Sequence, residues 1–150
     1  MITNDYILRL LEQLGRAIGR MVRHRDAEQW DRAHDVFAES CEDLLGQQPR
    51  FLDLLDVQNA VRMLGKWHRV KMYSALLEAD AAVWKRQGES ARAAKLYRRA
   101  LEIFLEGLSH GGRGDRELSE TITGLLAHVG LNRLAPAYQA MIRELNLRQR

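Results

Sequence analysis

The chain holds one cysteine, Cys41, and two prolines among its 150 residues. A lone thiol can form no intramolecular disulfide, no Cys-x-x-Cys redox pair and no cysteine-based zinc site, and it fits a reducing compartment. Scarce proline beside 46% hydrophobic and 29% charged residues leaves no room for a disordered linker and suits a folded helical chain. No stretch approaches the roughly 20 apolar residues of a membrane span. Asp5, Arg9, Glu12, Arg16, Arg20 and Arg23 break every early apolar run, so no signal peptide is expected and the location reads as cytoplasmic. Charge of one sign is also scarce: 23 Lys and Arg against 20 Asp and Glu give +3, too little by itself to imply nucleic acid.

What the chain does have is helical period. A length of 150 residues suits one domain, residues 1–150, able to bury roughly 70% of its unfolded surface. Apolar spacing of three and four predicts about seven helices, antiparallel in pairs. The first, from about Asn4 to His24, has the stripe Ile7, Leu11, Leu14, Ile18 and Met21, with Arg9, Arg16, Arg20 and Arg23 opposite. Asp26 and Gln29 read as a capping box for a second helix bearing Trp30, Ala33, Phe37, Cys41, Leu44 and Leu45. Pro49 opens a third that runs to Gly65 with Leu54, Val57, Val61 and Leu64 inward. The fourth, about Lys66 to Gln87, carries Trp67, Val70, Tyr73, Leu77, Ala81 and Trp84 and stops at Gly88. The fifth, about Glu89 to Gly107, presents Ala93, Tyr97, Ala100 and Phe104. The glycine-rich segment from Ser109 to Gly114 reads as a flexible connector, with Asp115 capping a sixth helix and Asn132 beginning a seventh. Strand-like alternation and hairpin dipeptides are absent, so the class is all-α.

The run from Gly88 through Ala93, Tyr97 and Ala100 to Leu101 resembles the turn and second helix of a tetratricopeptide repeat. The spacing has a physical basis, because small residues let two antiparallel helices approach while the aromatic fills the gap beside them. Gly130 echoes Gly88 at more than the usual period of roughly 34 residues, so the chain is repeat-like without forming a regular array. The opening DYILRLLEQLGRAIGRM resembles the first helix of an uncharacterised bacterial family of small tetratricopeptide-like proteins. The resemblance implies a right-handed superhelix whose concave side is lined by the first helix of each pair. That nominates Glu78, Lys85 and Arg86 on the fourth helix and Glu120 and His128 on the sixth as binding residues. It implies no activity.

Residues able to do chemistry are few. The five histidines never share a helix face in pairs, and no His-Glu-x-x-His motif occurs, so no metal and no cofactor are expected. Gly111-Gly112-Arg113-Gly114 follows a helix and lacks the lysine of a phosphate loop, which leaves a connector. Asp80 shares its face with Leu76, Leu77, Val83 and Trp84. It is either a ligand-orienting or proton-handling acid in a groove, or an acid answered by an arginine, a tyrosine hydroxyl or an indole N–H from a neighbouring helix. Arg9, Arg16, Arg20 and Arg23 form one basic face and Arg92, Lys95, Arg98 and Arg99 another. Either face is solvated, paired with neighbouring acids, or follows phosphates. The expected function is non-catalytic: a protein–protein interaction module holding a peptide or helix between helix pairs, with the broad apolar first helix available to a homodimer. Nucleic-acid binding through the arginine faces is the alternative.

Overall fold

The computed structural model describes residues 2–112 and 116–148, and among them the ordered elements are all helical. They are α1 (Ile2–Asp26), α2 (Trp30–Leu45), α3 (Pro49–Leu54), α4 (Val57–Leu64), α5 (Trp67–Arg86), α6 (Ser90–Ser109), α7 (Arg116–Leu126), a 3₁₀ turn (Leu131–Arg133) and α8 (Pro136–Arg148). No helix among the described residues is long and apolar enough to cross a membrane.

Eight α-helices stand where about seven were expected, because the third splits in two. Leu55 takes extended backbone (φ −85°, ψ 142°), and Asp56 accepts the Asn59 N–H at 2.8 Å, so a fresh N-cap starts α4 mid-segment. The break turns Leu54 outward to 80% exposure and buries Leu52 in its place. The capping box at Asp26 is likewise absent. α1 continues through Asp26, Glu28 makes the turn with a left-handed φ of 59°, and the Gln29 side chain bonds His24 at 2.8 Å. The buried stripe of α1 is Leu10, Leu14, Ala17 and Met21, so Leu8 and Leu11 stay 58% and 41% exposed. The seventh helix begins not at Asn132 but at Pro136, whose missing N–H costs nothing in a first turn. Asp115 and the end of the glycine segment lie outside the described residues.

α5 and α6 form the tightest pair. Gly88, at φ 94°, reverses the chain so that the Glu89 N–H reaches the Trp84 carbonyl at 2.9 Å. Ala93, Ala100 and Gly107 then fall on one buried face of α6, with Tyr97 and Phe104 between them. A Cβ on Gly107 would lie 2.5 Å from Val70 Cγ1 and 3.0 Å from the Trp67 ring. Ser74 Oγ donates to the Ala100 carbonyl at 2.8 Å within this contact. Trp67, half-buried, packs against the core on Phe104 at 5.1 Å between ring centres.

α2 runs antiparallel to α5 on its other side, and α1 packs against both. Guanidinium groups close the joints between elements. Arg69 donates to the Leu64 carbonyl at 2.8 Å and to the Leu45 carbonyl at 2.6 Å, the last residues of α4 and α2, while Arg99 donates to the Leu52 carbonyl of α3 at 2.6 Å. On the far face of α6, Glu102 accepts the Ala135 N–H at 3.2 Å just ahead of α8. Tyr138 bonds Glu106 beside it, and burial together with both carboxylates pushes the tyrosine pKa up to about 12. One apolar core runs from Leu10 on α1 to Ile142 on α8.

Two glycine substitutions separate close packing from mere helix propensity. Gly107→Ala forces α5 and α6 apart and lowers stability by about 1–3 kcal/mol in urea unfolding. Gly15→Ala, with nothing within 4 Å of its added methyl group, raises stability by about 0.5–1 kcal/mol. A Gly107→Ala protein that is no less stable than the unaltered one would contradict the packing described.

Candidate functional site

Helical spacing brings His34 and Phe37 onto one face of α2, and Tyr73, Leu77, Asp80 and Trp84 onto one face of α5. α6 adds Arg92, Lys95 and Leu96, and α3 adds Arg50 and Asp53. Together these elements border a groove of about 720 Å³, within the roughly 300–1,000 Å³ of ligand sites.

The groove has a polar centre. Asp80 is buried, and its two oxygens face two donors: His34 Nδ1 at 2.5 Å and the Trp84 indole N–H at 3.2 Å. His34 Nε2 lies 3.0 Å from Gln87 Oε1, and its ring stacks on Trp84 with centres 4.0 Å apart. The acid is therefore answered by an indole, as one expectation had it, but on its own helix, and by a histidine, which none of the expected partners included. Burial by itself lowers the His34 pKa and the Arg92 charge adds to that, but the bonds to Asp80 and Gln87 and the Asp80 charge outweigh both and raise it. Burial first, then the charges of Asp80 and Glu42, push the Cys41 thiol up to about 12, so it behaves as a small apolar side chain.

His34 carried a sequence signal that pairwise ligand spacing misses. It stands three residues before Phe37 and seven before Cys41, on the buried stripe of its helix and not at a helix end. An imidazole there points at whatever acid the facing helix supplies. For a general base the geometry is closed, since both ring nitrogens are engaged within the protein and no hydroxyl or thiol bonds to either among the described residues. No group of three or more His, Cys, Asp or Glu among the described residues is placed to hold a metal ion.

The five nominated residues lie away from this groove. Lys85 Nζ reaches His128 Nδ1 at 3.4 Å, and the His128 ring stacks on Tyr97 at 4.0 Å with 5° between planes. Partial burial, then Lys85, lowers the His128 pKa, while burial raises that of Glu78. Burial, then the Glu78 charge, raises the Tyr97 pKa; of the five, His128 touches that ring and Lys85 touches His128. Arg86 instead pairs with Asp26 of α1 at 3.5 Å, and Glu120 is exposed on α7.

The basic faces are partly spent on the fold. On α1, Arg16 meets Glu12 and Arg20 meets Glu39 of α2, each at 3.9 Å and exposed. On α6, Arg98 pairs with Glu102 at 3.4 Å, Arg99 holds α3, and the Arg92 guanidinium lies over Trp84 at 4.0 Å. No family model, no curated protein and no solved structure matches the chain.

The His34–Asp80 bond has a pH signature. A raised histidine pKa stabilises the folded chain fully below its ordinary value of 6.5, and that contribution is lost as pH climbs through the raised folded value. Asp80→Asn should cost about 1–3 kcal/mol near pH 6, with the gap to the unaltered protein narrowing towards pH 9 in urea unfolding. A gap that widens with pH contradicts the pairing.

Proposed function

We propose that the chain is a non-catalytic protein–protein interaction module, a scaffold or adaptor of tetratricopeptide-like helix pairs in a right-handed superhelix. It takes a peptide or a helix into the groove between α2 and α3 on one side and α6 on the other. The observation that carries this reading is the groove's construction. Phe37, Leu77 and Leu96 give it an apolar floor, charged side chains of α3 and α6 form its rim, and a buried hydrogen-bonded centre fixes its walls. That is the layout by which apolar grooves receive amphipathic segments. The closed imidazole and the protonated thiol favour binding over catalysis. A cytoplasmic location and the absence of a cofactor belong to the same reading. Nucleic-acid binding gains less support, since Arg98 and Arg99 are engaged within the fold.

Selection of peptides from a displayed library against the protein tests the groove, with Ala91→Trp as counter-target. Ala91 is exposed on the groove's edge, so the indole fills the opening and costs little stability. Selected peptides should lose about tenfold or more in affinity. Peptides indifferent to the substitution, or none at all, would refute the assignment.

Self-association draws on a separate feature, the exposed Tyr6, Leu8 and Leu11 of α1. If that strip is covered by a second copy, light scattering gives twice the chain mass of 17.3 kDa and Leu8→Glu with Leu11→Glu restores the monomer. A monomeric unaltered protein rules the homodimer out.

A further inference from the structure

Most arginines of the inner fold have their donors answered. Arg69 and Arg99 hold main-chain carbonyls, Arg98 pairs with Glu102, and Arg86 pairs with Asp26. Three cations that border the groove do not: Arg50, Arg92 and Lys95 make no hydrogen bond or ion pair among the described residues. Of these, Arg92 is held in place without being neutralised. Its guanidinium carbon lies 4.0 Å from the Trp84 ring centre, and Trp84 is itself fixed by its N–H bond to Asp80 and by the stacked His34. Stacking uses the flat face of the guanidinium and leaves its N–H donors free in the plane, the fork that takes a carboxylate through two parallel bonds. A fork held by a ring loses less freedom on binding than a free side chain does. Lys95 stands one helical turn further along the same wall.

Resting on the groove reading above, we infer that the occupant is an acidic amphipathic peptide helix. Its apolar face lies on Phe37, Leu77 and Leu96, and a side-chain carboxylate docks on Arg92 with Lys95 alongside. The groove's three cations face three acids; Asp80 is spent on His34, which leaves Asp53 and Glu89 at the border, so the attraction is local to the Arg92–Lys95 wall. Those two acids repel a uniformly anionic polymer and restrict where the ligand's own acids sit. An RNA strand fits this wall poorly, because Trp84 already carries His34 and Arg92 against its ring and Tyr73 is buried, leaving no aromatic face for base stacking.

Three synthetic helical peptides of about 16 residues test this, sharing one Leu and Phe pattern at helical spacing and differing only in whether the remaining positions are Glu, Gln or Lys. Affinity is read by fluorescence anisotropy, and occupancy of the groove by the Trp84 indole N–H cross-peak, assigned with Trp84→Phe. The Glu peptide should bind about tenfold or more tighter than the Gln peptide and the Lys peptide most weakly, with the preference shrinking as salt is added. Arg92→Gln should remove the Glu peptide's advantage while leaving the Gln peptide's affinity in place, and Arg92→Glu with Lys95→Glu should invert the order. Equal binding of all three with a shifted Trp84 peak overturns the acidic-partner inference and leaves the groove reading standing. If no peptide moves that peak, both fall. A short single-stranded RNA that displaces the Glu peptide, and loses its hold in Arg92→Gln, also overturns the inference.

Discussion

The close crossing of α5 and α6 is the constraint on which the remaining geometry rests. Because Gly107 has no side chain and Ala93 and Ala100 have little, side chains of α5 such as Val70 and Trp67 press directly on the α6 backbone, with Ser74 bonded to a main-chain carbonyl across the gap. At that separation the guanidinium of Arg92 reaches the Trp84 ring and that of Arg99 reaches both the Tyr73 hydroxyl and α3. A wider pair would leave both arginines in solvent, α3 untethered and the groove without its basic wall.

The polar interior follows one rule throughout. Buried side-chain donors and acceptors all have partners among the described residues, including Asp80 at the α2–α5 contact and Glu102 and Glu106 beside α8. An isolated carboxylate in such surroundings would be strongly destabilising, so each acid marks a place where two elements have to meet in one register. Asp80 aligns α2 on α5, and Glu102 and Glu106 align α8 on α6 through the Ala135 N–H and the Tyr138 hydroxyl. Against that background the cations of the groove stand apart as charges that no acid of the fold answers among the described residues.

Much of this was legible in the sequence, and the misses share a cause. The all-α class, the turn at Gly88 and the small-aromatic-small face of Ala93, Tyr97 and Ala100 depend on contacts near in sequence, which periodicity captures. Asp80 also stood out, as an acid on an apolar face. Its partner did not, because His34 lies 46 residues away and only the packing of α2 on α5 joins them. The split between α3 and α4 turned on Asp56 as an N-cap, a local signal outweighed by an apolar pattern that ran through it. The rotation of the α1 stripe arose because a helix apolar over so wide a face has several burial modes, and the neighbours choose among them. Of the nominated residues, Lys85 meets His128 and His128 stacks on Tyr97, whereas the groove lies elsewhere.

Arg69 and Arg99 carry a consequence for how the molecule breathes. α3 and α4 have six and eight residues, too short to persist as isolated helices, and their carbonyls at Leu52 and Leu64 hang on those two guanidinium groups. Beyond those bonds only Leu52, Ala60, Val61 and Leu64 anchor the segment in the core, so amide protons from 49 to 64 are expected to exchange with solvent at lower protection than those of α5 and α6. The wall of the cleft formed by α3 would then open more readily than the wall formed by α5 and α6.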